Sequence, residues 1–301
     1  MQDIRRAAGD YLIHLKASGR SPATIESYKG SLALLPEFLD REISLEAVSA
    51  HVLDAALAGM AGTEGASGRR RSEATLNRYR CTYKGFFRWA FETARIPKNP
   101  AALLQLARGD SPTTPAITAA ETKLLLSAIR GSNDPLRMRD EALFSTYALT
   151  GLRRAEALRL DVSDYDAGKG VLRVKDGKGR RTRTVPVAQA LGLLLCRFRD
   201  DSAARRSCGK LFPGRVQGKG LTPREAHARL QRWKRVAGLR PELTIHSFRA
   251  GFATALHRGF GDVILVSRAL GHRDLRPTLR YVELHPRKLP LAIERSFAGI
   301  V

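Results

Sequence analysis

Four short segments in the second half of the chain carry side chains suited to chemistry on a phosphate. In TGLRRAEALRLDVSDYD, Arg153 follows a Gly turn and Glu156 lies three residues on, on the same helical face, a spacing that also suits a surface ion pair. In KDGKGRR, Lys178 sits between Gly177 and Gly179; the segment lacks GxxxxGK[ST], so it is no P-loop, and a plain turn lysine is the alternative. In HSFR, His246 and Arg249 are one helical turn apart, and a capping or core histidine is the simpler reading. In LGHRDLRPTLRYVEL, His272 precedes Tyr281 by nine positions among Arg273, Arg276 and Arg280. Arginine cannot ligate a metal, so the set is a poor zinc site, and it has no paired carboxylates for Mg²⁺. Taken together the residues are chemically coherent. Arginine forks match phosphate oxygens and can carry the charge of a phosphoryl transition state without a metal. A lysine or histidine can protonate a leaving alkoxide, and a tyrosine can attack to give a covalent intermediate. Basic surroundings favour the Tyr281 phenolate.

The composition agrees with an anionic partner. Against 29 Asp and Glu stand 52 Lys and Arg, a net charge of +23. That is the electrostatic footprint of nucleic acid, although a GC-rich genome also raises arginine on any tolerant surface. Of these, residues 109–301 hold 36 basic and 18 acidic side chains, most of the excess. Cys81, Cys196 and Cys208 are too few and too scattered for a disulfide framework or a zinc site. No apolar run suits a membrane span and the start has no secretory h-region, so a soluble cytoplasmic protein associated with the nucleoid is expected.

The elements that must position these residues fall into two groups. Residues 109–116, GDSPTTPA, read as a linker between domains 1–108 and 117–301. Upstream, helices are expected over residues 4–18, 22–39, 45–60 and 72–94, an all-helical domain. The last of these shows Leu76, Tyr79, Tyr83, Phe87 and Ala90 on one stripe and Arg80, Lys84 and Arg88 on the next, a cationic face that is either solvated or turned to phosphates. Downstream, helices are expected at 118–129 and 136–149, then a β-hairpin of 171–174 and 182–187 around the Asp-Gly turn, then helices at 223–238, 246–259, 263–270 and 290–300. The expected fold class is therefore mostly α with a small β-sheet, an all-helical N-terminal domain and an α+β C-terminal one.

In these motifs, taken in order, the chain resembles the tyrosine recombinases, or phage integrase family. GRSPATIESYKGSLALLPEFL and YKGFFRWAFETARIPKNPAALL are similar to the family's helical core-binding domain, with its Asn-Pro at 99–100. The resemblance implies that Arg153 and Arg249 are the catalytic arginines and that Glu156 supports the first. It further implies Lys178 as general acid, His246 and His272 as helpers in proton transfer, and Tyr281 as the nucleophile. Arg80, Lys84, Arg88, Arg180 and Arg181 are candidate DNA contacts. Ala250, Pro277 and Glu283 depart from common family residues, and none of the three is needed by the mechanism. Because the core-binding pattern begins at once, a simple Xer-like two-domain member is expected. What is implied is site-specific recombination of double-stranded DNA through a 3′-phosphotyrosyl bond and a Holliday junction, with no metal or other cofactor. The assembly implied is a homotetramer on DNA, alone or with a second recombinase or accessory protein, tied by the C-terminal helix. Rival readings are a type IB topoisomerase, which has the same catalytic set, and a DNA-binding accessory protein.

Overall fold

A computed structural model describes residues 3–40, 43–65, 68, 70–107, 114–175, 182–200, 209–216, 218–272 and 274–279. The chain divides into two compact units, Met1–Pro112 and Thr113–Val301. The first has four α-helices among its described residues: α1 (Ile4–Ala17), α2 (Pro22–Leu34), α3 (Ala50–Gly62) and α4 (Glu73–Glu92). Each begins at a side-chain cap. Asp3, Ser21, Ser49 and Ser72 accept hydrogen bonds from the N–H groups of Arg5, Thr24, Val52 and Thr75. Two expected helices are shorter than their apolar pattern. The one expected over 22–39 ends at Leu34 and passes into a 3-10 turn, Leu35–Glu37, because Pro36 has no N–H for the carbonyl four residues back. The one expected over 45–60 is broken at Ser49, which caps α3 in place of continuing the preceding turn, Leu45–Ala47. The core of this unit is built on α4, which buries Leu76, Tyr79, Tyr83, Phe86, Phe87 and Ala90. The Tyr83 hydroxyl donates to the Ser31 carbonyl at 3.0 Å, so the one polar atom of that fully buried ring is satisfied.

In the second unit the described elements run α5 (Ala119–Arg130), α6 (Arg137–Thr150), α7 (Arg154–Arg159), β1 (Tyr165–Asp166), β2 (Val171–Lys175), β3 (Thr182–Pro186), α8 (Gln189–Asp200), α9 (Pro223–Val236), α10 (Ile245–Phe260), α11 (Val263–Leu270) and α12 (Arg276–Leu279). The three strands form one antiparallel sheet in the order β1-β2-β3. Leu172 pairs with Val185 and Val174 with Arg183, which puts those four residues on one face. The expected hairpin strands are present, and the expected fold class, mostly helical with a small sheet, is that of the molecule. The sequence reading missed β1 and α8. In α8, Leu191, Leu195 and Phe198 are the buried stripe, hidden in sequence by the apolar run LGLLLC.

Two polar networks hold the site-bearing helices. Asp140, fully buried on α6, accepts from Arg139 at 2.9 Å, from Trp233 at 2.7 Å and from Arg229, joining α6 to α9. Lys234, also buried, donates to the carbonyls of Pro241 and Leu243 at 2.7 Å each and so fixes the loop that leads into α10. Both networks satisfy charges that would otherwise be costly to bury. No helix among the described residues is long and apolar enough to cross a membrane.

Candidate active site

Helix α6 ends at Gly151, whose φ of +60° turns the chain left-handed; a Cβ there would come 2.5 Å from the Phe252 ring. Only glycine fits this turn. It delivers Arg153 to the N-cap position of α7, and Glu156 reaches back from the first turn. One Glu156 oxygen, Oε2, accepts the Arg153 backbone N–H at 2.7 Å, and the other, Oε1, accepts Arg153 Nη1 at 2.9 Å. The pairing expected from the i, i+3 spacing is therefore present, and Glu156 is 7% exposed. Arg183 on β3 grips the same carboxylate with its two terminal nitrogens, at 2.9 and 3.0 Å. Burial alone would raise the Glu156 pKa, but the hydrogen bonds from Arg183 and from Arg153 overcome it and hold the group at about 2. It is a carboxylate at any working pH.

Arg249, on the second turn of α10 and 5% exposed, links three of the motifs. Its Nη1 donates to the Gly151 carbonyl at 2.7 Å, just before the first arginine. Its Nη2 donates to the Leu270 carbonyl at 2.8 Å and meets His272 Nε2 at 2.8 Å. A guanidinium has donors only, so Nε2 must be the acceptor. The proton of the neutral ring then sits on Nδ1, which donates to Thr278 Oγ1 at 2.7 Å. Burial, then the charges of Arg249, Arg153 and Arg183, lower the His272 pKa to about 4. His246, one turn before Arg249, is exposed; the desolvation its neighbours impose and the charges of Arg154, Arg249 and Arg153 hold its pKa below the usual histidine value. Both imidazoles are neutral at pH 7.

Arg153, Glu156, His246, Arg249 and His272 are thus brought to one place. Lys178, Arg180, Arg181, Tyr281 and the expected helix at 290–300 lie outside the described residues. The expected cationic stripe of α4 is only partly open. Arg80 is engaged by Glu73 at 3.1 Å and by Asn77 at 2.8 Å, and Lys84 donates to the Leu104 carbonyl at 2.6 Å. Arg88, held by Glu92 at 2.8 Å, is the most exposed of the three. Sequence reasoning missed two residues. Arg183 alternates with Thr182 and Thr184 on β3 and shares the face of buried Val185, a core-facing arginine that calls for a carboxylate. Thr278, fully buried, orients His272, and its six-residue spacing from that histidine carries no local signal.

Residues 115–288 match the phage integrase family, and residues 9–93 match the phage integrase N-terminal SAM-like domain. Tyrosine recombinase XerC of Chromobacterium violaceum is 30% identical over 274 residues, covering 91% of this chain and 88% of its own. XerC of Mycobacterium bovis is 33% identical over 287 residues, covering 92% and 93%. Among solved structures, the XerH site-specific recombinase bound to palindromic difH substrate in a post-cleavage complex is similar, with a TM-score of 0.72 and 25% identity over 93% of this chain and 81% of that one. With its arginines, histidines and supporting glutamate assembled on this fold, the chain belongs to the phage integrase family of tyrosine recombinases.

Proposed function

We propose that this tyrosine recombinase cleaves and rejoins double-stranded DNA at a specific site, with Tyr281 as nucleophile. The observation that carries the reading is Arg249, whose guanidinium bonds the Gly151 carbonyl, the Leu270 carbonyl and His272 and so makes one centre of three separated motifs. In the proposed step the Tyr281 oxygen attacks the scissile phosphorus. A P–O bond to tyrosine forms and the P–O5′ bond breaks, leaving a 3′-phosphotyrosyl end. The phenolic proton passes to the neutral imidazole of His246, because the Nε2 lone pair of His272 is already taken by Arg249 and its Nδ1 carries a hydrogen, which leaves His272 a hydrogen-bonding part. The departing 5′ oxygen takes a proton from Lys178. Arg153 and Arg249 balance the charge on the non-bridging oxygens. A 5′-hydroxyl from a partner strand reverses the step, so the bond energy stays in the adduct and the exchange needs no nucleotide.

Two exchanges in sequence pass through a Holliday junction, which requires two duplexes and hence a homotetramer, alone or with a second recombinase or accessory protein. The compartment proposed is the cytoplasm, on nucleoid DNA. Arg88, Arg180 and Arg181, with Arg80 and Lys84, are proposed DNA contacts that set position on the backbone. Nicked duplexes tiled from the DNA flanking the gene locate the site as the fragment that becomes linked to protein. Two copies of that fragment, one on a supercoiled circle and one on a linear duplex, then test the function. Joint molecules with exchanged flanks are expected. Relaxation of the circle with no exchanged flanks would point instead to a topoisomerase.

A further inference from the structure

We infer that Arg183 is a positioning residue for the cleavage step: it holds Arg153 in place through Glu156 and ties that pair to the turn that carries His272. The inference rests on the recombinase reading above. Arg183 lies opposite Val174 on the sheet face that buries Leu172 and Val185. A charge on that face needs a partner, and Glu156 provides one. The two carboxylate oxygens of Glu156 accept four donors, two each: Arg153 Nη1 and Arg183 Nη1 on Oε1, the Arg153 backbone N–H and Arg183 Nη2 on Oε2. That matches the roughly four lone-pair sites of a carboxylate. Glu156 is therefore saturated, and its orientation is set jointly by the two arginines. Without Arg183 the carboxylate keeps only the two Arg153 donors, and the grip on Arg153 loosens.

The second tie runs to the other end of the site. Gly271, with φ of +66°, has no room for a side chain because a Cβ there would lie 2.6 Å from Arg183 Nε and 2.9 Å from its Cδ and Cζ. The arginine stem packs directly under the residue that precedes His272. Its Nη atoms are taken by Glu156, and its Nε is buried without a hydrogen-bond partner among the described residues. The salt dependence of DNA binding tells this role from a phosphate contact.

The test uses the full chain and the nicked duplex that tiling the flanking DNA identifies, in two forms: the ordinary scissile phosphate, and a methylphosphonate in which one non-bridging oxygen is replaced by methyl. The neutral phosphonate has less need of a cation at the position of Arg153. Arg183→Gln should slow strand cleavage of the phosphate by roughly 10²-fold, the scale of an ångström-level misplacement. On the methylphosphonate it should stay within about threefold of wild type by the same reasoning. Arg183→Lys, which keeps the charge but loses the fork, should show the same substrate preference with a smaller loss, and it keeps the test open should the Gln variant not fold. Added to Arg153→Ala, Arg183→Gln should cost little more, since the two act as a unit. The salt dependence of DNA binding should not change. Equal losses on both duplexes, independent costs with Arg153→Ala, or a shallower salt dependence would each overturn the inference while leaving the recombinase reading intact. No cleavage of either duplex by wild type would overturn the recombinase reading and this inference together.

Discussion

His272 has its protonation state written by its neighbours. Arg249 can only donate to Nε2, and Thr278 accepts from Nδ1, so the ring is neutral with its hydrogen on Nδ1. With a folded pKa of about 4 against an ordinary value near 6.5, the unfolded chain binds the proton more readily. The stability conferred by the neutral ring is therefore complete above about pH 6.5 and is lost as the pH falls toward 4. Nitrogen-15 NMR of the imidazole should show a protonated Nδ1 and a bare Nε2 with no titration between about pH 5 and 8; a ring that titrates near 6.5 would refute the assignment. Thr278→Val leaves Nδ1–H buried without an acceptor, a loss of about 1–3 kcal/mol in chemical denaturation. Strand cleavage should fall with it, because Nδ1 would be free to give up its hydrogen to the other tautomer. A variant as stable and as active as wild type would show that Thr278 does not set the ring.

At the scale of elements, the site depends on turns that only glycine can make. Gly271 and Gly238 have nearly the same backbone, φ of +66° and +63°, but a Cβ at Gly238 meets nothing within 4 Å whereas at Gly271 it meets Arg183. Gly238→Ala should cost only the left-handed strain, about 1–2 kcal/mol. Gly271→Ala should cost more, and it alone should slow cleavage, because Arg183 must leave Glu156 to make room. Thermal unfolding and cleavage rates of the two variants compare them directly, and equal effects would contradict the packing. The same elements show what a sequence discloses. The turn at Gly151, the i, i+3 pair Arg153 and Glu156, and the HSFR helix are local patterns, and each was legible. The hairpin strands were legible from their alternation, but Arg183 was not singled out, since its partner lies 27 residues away on another element. The contact between His272 and Thr278 depends on how α12 folds back on the end of α11, and the carbonyls that hold Arg249 on how α6, α10 and α11 pack, which no local spacing records.

For the whole molecule, charge sets how the chain meets its substrate. A net charge of +23, with most of the excess beyond residue 108, makes phosphate contacts the main source of affinity. Binding to any duplex should fall linearly on a log–log plot against salt. A protein with about 6–10 phosphate contacts loses about 10³–10⁵ in affinity between roughly 50 and 200 mM salt. Fluorescence anisotropy on a labelled duplex measures this, and a flat salt dependence would contradict an electrostatic footprint. The central claim, that Tyr281 forms a covalent bond to DNA within this arginine and histidine set, is tested by incubating wild type and Tyr281→Phe with the nicked site in EDTA and separating the products on a denaturing gel. Protein-linked DNA from wild type alone, with both proteins binding the duplex equally, is the result predicted; an adduct that persists in Tyr281→Phe would place the nucleophile elsewhere and contradict the account.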